Sequence, residues 1–379
     1  MHYSGRPPLV SGDLNFGGDV QYTTLGRTGV TVSRLCLGAM MFGQDGNPDH
    51  DDCVRIMHRA FDGGINFVDT ADVYAYGESE EIVGAAVRDR RDDIVIATKV
   101  HHPMSDEVLN RRGSTRSWIT RACEDSLRRL GTEYIDLYQV HRPDPLTDID
   151  ETLGAMSDLV RQGKVRMIGC CTFPASEIVQ SHWVAEQRGH IRFRCNQPPY
   201  SIFARGIERE VLGICARFGM GVIVWSPLNS GWLTGRYRRG VENPPSPRSA
   251  IPINRPRDET ESGFGRPRPS YNTLHDYNAP FNQRKLDVVE ELVKLSDEAG
   301  ITMVDMAVAF TLAHPAITSS IIGPRTMQQL ESQLSSSDIT LDSSVLDRID
   351  ALVAPGTDVF VGDAGYMPPE ITDPRKRRR

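Results

Sequence analysis

Eight short apolar runs, each followed by a helix-patterned stretch, restrict the fold of this chain more than any other feature. The runs fall at 34–37, 65–69, 94–99, 134–141, 165–171, 191–197, 221–226 and 319–322. They are rich in Val, Ile and Leu and too short for helices, so they read as buried strands. Amphipathic helices are expected at 51–62, 79–87, 114–130, 149–162, 175–186, 208–218, 286–299 and 303–313, with closing helices at 327–334 and 344–353. Ser79 and Ser114 are the expected N-caps of their helices, and Gly163 and Gly219 stand where C-caps belong. Eight strand–helix units are the count of a closed parallel barrel, so the expected fold is α/β, a (β/α)8 TIM barrel. A doubly wound open sheet would want a glycine fingerprint after its first strand, and neither G-x-G-x-x-G nor a Walker A loop occurs. Residues 21–33, with Gly26 and Gly29 central, read as a hairpin over the barrel bottom.

One barrel domain is expected over 21–354, after a loose lead-in at 1–20. The Pro-, Arg- and Gly-rich stretch 229–282 is too long for a connector and reads as a lid after the seventh strand. A tail at 355–379 ends in Arg375, Lys376, Arg377, Arg378 and Arg379 and is expected to be solvated.

Chemistry gathers at the strand ends. The second run stops on Asp69, with Tyr74 five residues later; the third stops on Lys99 and the fourth on His141. If these strands are parallel neighbours about 4.8 Å apart, the four side chains converge at one rim. A nearby ammonium favours phenolate, so Lys99 is expected to lower the pKa of Tyr74, with Asp69 holding the ammonium in place. His141, hydrogen-bonded beside the phenol, would complete a donor pair for a carbonyl oxygen. Such a set suits protonation of an oxygen that gains charge during hydride reduction. Each residue alone has a plain structural explanation; their placement at the same end of consecutive strands favours the functional one. His101 and His102 lack a partner cluster, and no metal site is expected.

A net charge of −7 and a pI near 5.8 give no basic field for nucleic acid. Seven cysteines without framework spacing suggest a reducing, cytoplasmic setting. The first twenty residues lack the apolar segment of a signal peptide, and no run approaches a membrane span.

The segment G-I-N-F-V-D-T-A-D-V-Y-x-x-G-E-S-E-E from Gly64 to Glu81 resembles a signature of the aldo-keto reductase family. So do A-T-K ending at Lys99, Y-I-D-L-Y-Q-V-H-R-P-D ending at Asp144 and W-S-P-L-N-S-G-W-L-T-G-R-Y ending at Tyr237. The resemblance runs from Gln21 to Val353 and extends to the branch of potassium-channel β subunits. It implies a barrel that binds NADPH, NADP(H) being the expected cofactor, and a tetrad of Asp69, Tyr74, Lys99 and His141 with Tyr74 as general acid. It also implies cofactor contacts at Gly38, Ala39, Met40, Asp69, Cys171, Thr172, Gln197, Trp225, Ser226, Pro227, Leu228, Gly231, Arg236, Gly323, Arg325, Thr326, Gln329 and Gln333. Among these, Gln197 would bind the carboxamide, Trp225 would stack on the nicotinamide, and Arg325 would clamp a 2′-phosphate. The turn into a helix N-terminus after the eighth strand is by itself a ready anion site. Three positions depart from the family pattern: Cys171-Thr172 replaces a frequent Ser-Asn, Ala39 a frequent threonine and Gln333 a frequent asparagine.

The expected activity is NADPH-dependent reduction of an aldehyde or ketone. The alternatives are a keto or enoyl reductase of a nucleotide-activated sugar and an NADPH-sensing regulatory subunit. Substrate-facing residues are expected at Met41, Phe42, His102, Arg142 and Trp232, with Tyr76, His101 and the lid nearby. The partner is a small carbonyl compound, with no nucleic acid and no membrane; a homo-oligomer is left open.

Overall fold

The computed structural model describes residues 20–105, 108–242 and 275–368. Its first two strands, β1 (Tyr22–Thr24) and β2 (Thr31–Ser33), form an antiparallel hairpin. The barrel strands follow: β3 (Leu35–Gly38), β4 (Phe67–Asp69), β5 (Val95–Val100), β6 (Ile135–Val140), β7 (Val165–Cys171), β8 (Cys195–Gln197), β9 (Gly221–Val224) and β10 (Ser319–Ile322). All pair in parallel and in chain order, and β10 closes on β3. The expected (β/α)8 barrel is the fold.

Helices α1 (His50–Asp62), α2 (Glu78–Val87), α3 (Arg116–Leu130), α4 (Ile149–Arg161), α5 (Ala175–Arg188), α6 (Val211–Phe218), α7 (Pro280–Ala299) and α8 (Met303–Ala313) surround the sheet, and α9 (Met327–Leu334) and α10 (Ser343–Leu352) follow β10. Their caps explain their starts. Asp49 accepts from the Asp52 amide to open α1, and Thr302 accepts from Asp305 to open α8. Two expected caps move. Thr115, not Ser114, caps α3, its side chain accepting from the Trp118 amide, while the Ser114 amide donates to the Asp144 carboxylate. Ser79 lies inside α2, whose N-cap is Gly77; its hydroxyl is buried and donates to the Ala39 carbonyl. Helix α7 starts at Pro280, six residues before its expected start, with proline in the first turn where its missing N–H costs nothing. The sixth expected strand shrinks to Cys195–Gln197.

Inside the barrel, side chains stack in layers. The lower layer takes one residue from each strand: Cys36, Phe67, Ala97, Leu137, Met167, Cys195, Ile223 and Ile321. Leu25 and Val32 of the hairpin close it from below. The fit is tight at Gly26, where φ is +55° and a Cβ would lie 2.4 Å from the Gly221 nitrogen. Two residues further along each strand the side chain points inward again, about 6.6 Å higher. That second layer is Gly38, Asp69, Lys99, Gln139, Gly169, Gln197, Trp225 and Gly323. The change from apolar to polar over one pleat marks where the barrel stops being core and becomes site. No helix among the described residues is long and apolar enough to cross a membrane.

Candidate active site

Strands β4, β5 and β6 are neighbours, with Asp69 opposite Ala97 and Lys99 opposite Gln139. This register brings the Asp69 carboxylate to the Lys99 ammonium at 2.6 Å. Lys99 is fully buried and Asp69 is 3% exposed. The ammonium also donates to the Thr70 carbonyl at 2.7 Å and to Tyr74 Oη at 3.3 Å. Tyr74 opens a turn in which Ala75 and Tyr76 both have positive φ, +45° and +55°. Strain of this kind persists only where the surroundings impose it, and it aims the phenol back over β5. His141, one residue past β6, meets the Tyr74 ring edge-on with centroids 5.8 Å apart. His102 meets His141 at 4.6 Å, and His101 meets His102 at 5.4 Å.

The electrostatics differ from expectation at the phenol. Burial raises the pKa of Tyr74, and the opposing pull of Lys99 does not overcome it. Lys99 still favours the phenolate through its charge and its hydrogen bond, but desolvation outweighs it and the Asp69 carboxylate adds to the rise. Burial alone would lower Lys99, but Asp69 and then Tyr74 hold its pKa above the usual lysine value. His141 is pushed well below the ordinary imidazole value, first by burial, then by His102 and Arg142. Near neutral pH the site therefore holds a protonated phenol, a charged lysine and a neutral histidine. The Nδ1 of His141 is buried without a hydrogen-bond partner among the described residues.

Two buried amides complete the ring around Asp69. Gln197 Nε2 donates to Asp69 Oδ1 at 2.7 Å, and Gln139 Nε2 approaches the same oxygen at 3.5 Å. Gln197 thus links the barrel's far side to the tetrad, and its Oε1 faces the Cys171 thiol at 3.7 Å. Gln139 was not among the sequence candidates. The two-residue period from Leu137 to His141 would have found it, since all three positions point inward.

The residues assigned to the cofactor line the upper rim. Gly38, Cys171 and Gln197 end β3, β7 and β8, while Trp225 and Gly323 each lie one residue beyond β9 and β10. Ala39 is buried and follows Gly38, its amide donating to the Asp69 carbonyl; Met40 is half-buried. Thr172 and Ser226 both have φ of +60°, so strained residues leave β7 and β9 at the mouth. Pro227 and Leu228 lead into the turn Asn229–Thr234, where Gly231 has φ of +92°. Arg236 packs over the Tyr237 ring. Thr326 caps α9 by accepting from the Gln329 amide, and the Gln329 side chain accepts from the Arg325 amide. Gln333 donates to the Gln329 carbonyl.

Substrate-side expectations divide. Met41 is 7% exposed, while His102, Arg142 and Tyr76 reach the surface, Tyr76 at 50%. Phe42 and Trp232 are more deeply buried, at 0% and 1% exposure. Trp232 stacks on His275 and lies against Tyr237, with the Lys285 ammonium 5.7 Å from its ring.

The flanks of the expected lid and the start of the expected tail are structured. Arg238 pairs with Glu290 and Arg239 with Asp287, so the chain leaving β9 is fastened along α7. Of the stretch expected as a lid, 243–274 lies outside the described residues, as do 1–19 and the tail from 369 with its Arg375–Arg379 run. The rest of the expected tail is structured. Val359 donates to the Phe203 carbonyl, Phe360 stacks on Phe281 at 4.0 Å, and Asp363 pairs with buried Lys285 at 2.7 Å. This strap ends on Gly365, where a Cβ would lie 2.8 Å from Trp225 Cζ2 and 2.9 Å from Thr172 Cγ2. Sequence reading missed it because its anchors, Lys285 and Asn229, look like surface residues and are buried.

The sequence model of the aldo/keto reductase family matches residues 34–354. An uncharacterized oxidoreductase of Bacillus subtilis (strain 168), YrpG, is 35% identical over 359 residues, covering 92% of this chain and 98% of that protein. A protein of Arabidopsis thaliana named as a voltage-gated potassium channel subunit beta is 33% identical over 345 residues, covering 88% and 97%. A Schizosaccharomyces pombe protein named in the same way is 30% identical over 342 residues, covering 88% and 94%. With this barrel, this rim and these relatives, the chain belongs to the aldo/keto reductase family.

Proposed function

We propose that the protein is an NADPH-dependent reductase of aldehydes or ketones in which Tyr74 is the general acid. The observation that carries this reading is the buried chain Asp69–Lys99–Tyr74, with contacts of 2.6 and 3.3 Å, beside the neutral imidazole of His141.

The rim suits a dinucleotide. Gln333 Oε1 and Trp225 Nε1 are buried without hydrogen-bond partners among the described residues, one at each end of the assigned groove. Gly323 leaves open space where a side chain would stand. Arg325 makes no ion pair among the described residues, which supports its assignment to a phosphate and NADP over NAD. Cys171, Gln197 and Trp225 would hold the nicotinamide end, and Arg325, Thr326, Gln329 and Gln333 the adenosine end.

When bound, the reduced nicotinamide supplies the hydride that the carbonyl carbon accepts. Tyr74 gives its proton from Oη to the carbonyl oxygen as that oxygen gains charge. Its raised pKa keeps the proton in place before reaction, and Lys99 stabilises the phenolate left behind. Asp69 holds Lys99 charged. His141, neutral, offers an N–H to the same oxygen without competing for the proton.

The test is NADPH consumption with an aldehyde panel by wild type and Tyr74→Phe. The expected loss is about 10²- to 10⁴-fold, the range of general acid catalysis. Equal rates would remove Tyr74 as the acid. A second reading, a subunit that binds NADPH and reports its redox state to a partner, draws on the relatives named as channel subunits. Tight NADPH binding with no turnover of any carbonyl in the panel would favour it.

A further inference from the structure

One cation at the mouth is left over by the proposed mechanism. Arg142 follows His141 directly, at the end of β6. Its Nη1 donates to the His141 carbonyl at 2.7 Å, to Thr172 Oγ1 at 3.1 Å and to Cys171 Sγ at 3.3 Å. Its guanidinium carbon lies 5.9 Å from the centroid of the Trp225 ring. The group is thus tied to the ends of β6 and β7 and placed beside the wall assigned to the nicotinamide.

Its charge, by contrast, has no ion-pair partner among the described residues. No carboxylate of the described residues lies within ion-pair distance of it. Asp144, two residues on, is occupied: its carboxylate accepts from the Ser114 amide, the Leu146 amide and Thr147 Oγ1. The other cation of the site, Lys99, is matched by Asp69. The neighbouring imidazoles His141 and His101 are held neutral, the second with its pKa down at about 4, by burial first. Among the described residues, the Arg142 guanidinium thus stands at the mouth without an ion-pair partner, beside a paired lysine and neutral imidazoles. The fork of Arg142 also has unused donors, since Nη2 and Nε make no hydrogen bond among the described residues. A half-buried guanidinium with one nitrogen anchored and the rest of its fork free is suited to a planar or tetrahedral anion.

We infer that Arg142 is a specificity-determining residue that selects carbonyl substrates bearing an anionic oxygen group, a carboxylate or a phosphoryl group, alongside the reacting carbonyl. This rests on the reductase reading. The competing role is a prop: Arg142 would hold the strained Thr172 backbone and the Trp225 ring and would not touch substrate. The two roles differ in one readout. A prop affects charged and neutral substrates alike; an anion site affects their ratio.

The experiment compares three aldehydes of similar size: 4-carboxybenzaldehyde, its methyl ester and 4-formylphenyl phosphate. For each, kcat and KM are measured with wild type, Arg142→Met and Arg142→Lys. In wild type, at least one anionic aldehyde is expected to exceed the ester in kcat/KM by tenfold or more, and which one does so separates carboxylate from phosphoryl selection. Arg142→Met is expected to bring that ratio close to one, chiefly through KM of the anionic substrate. Arg142→Lys, which keeps the charge and loses the fork, is expected to keep part of the ratio. A wild-type ratio near one, or a ratio that Arg142→Met leaves as in wild type, overturns the inference. Failure of the reductase reading looks different: wild type would turn over none of the three. Calorimetric titration of 4-carboxybenzaldehyde and the ester into wild type and Arg142→Met then decides the role of Arg142 separately, equal affinities overturning it.

Discussion

Lys99 and Asp69 form a fully buried ion pair, so a pairwise cycle of substitutions separates its structural role from its chemical one. In Lys99→Met the Asp69 carboxylate keeps only amide partners, Gln197 at 2.7 Å and Gln139 at 3.5 Å. In Asp69→Asn the ammonium keeps the Thr70 carbonyl and the Tyr74 hydroxyl. Each single variant leaves an uncompensated buried charge and is expected to lose about 3–5 kcal/mol of stability. The double variant Asp69→Asn/Lys99→Met leaves none. Its stability is expected to return close to wild type rather than fall by the sum, because a neutral replacement of a buried pair is often tolerated. Activity follows a different rule. The Lys99–Tyr74 contact is charge-assisted, worth about 1.5–3 kcal/mol, or roughly 10- to 150-fold in kcat, and the double variant does not restore it. Urea denaturation gives the stabilities and NADPH consumption the rates. A double variant as unstable as the sum of the singles would refute the pairing argument. A Lys99→Met variant with wild-type kcat would refute the role of Lys99 in stabilising the phenolate.

Other outcomes follow from the same geometry. His182 is buried against Phe218 at 4.1 Å, and burial, then Arg192 and Arg194, push its pKa to about 4. The unfolded chain takes up this proton below about 6.5, so stability falls as pH drops from there toward 4. Urea denaturation across that window is expected to show a shallower acid loss for His182→Phe; an unchanged slope would contradict the assignment. Gly365→Ala places a Cβ 2.8 Å from Trp225 Cζ2 at a φ of +78°. The left-handed backbone alone costs an alanine about 1–2 kcal/mol, so the strap is expected to lift and the NADPH dissociation constant to rise several-fold by fluorescence titration. With the Tyr74 pKa raised by burial, carbonyl reduction is expected to be flat across neutral pH. Oxidation of the corresponding alcohol, which needs the phenolate, is expected to increase toward alkaline pH, and parallel pH profiles in the two directions would contradict this.

Period and position made much of this legible in the sequence. Runs of alternating strand and helix pattern determine a closed barrel almost by count, and parallel pairing of neighbours then forces Asp69, Lys99 and His141 to one rim. Signals that depend on tertiary burial were not legible. The pKa of Tyr74 moves opposite to the expectation because desolvation outweighs the pull of Lys99, with Asp69 adding to the rise. The depth at which Trp232 and Phe42 are buried has no mark in the sequence either. Lys285 looks like an exposed helical lysine and is 1% exposed, held by Asp363 and Asn229 from segments distant in the chain. Local pattern carries no information about such long-range pairing, so the strap over Trp225 could not be foreseen.

The central claim is that a lysine-held phenol delivers the proton while the cofactor groove is built by other residues. Single-turnover mixing of NADPH-loaded wild type and Tyr74→Phe with one reducible aldehyde, alongside NADPH titration of both, tests it most directly. The account predicts equal NADPH affinity and transfer at least about 10²-fold slower in the variant. Equal transfer rates, or a loss explained wholly by weaker NADPH binding, would contradict it.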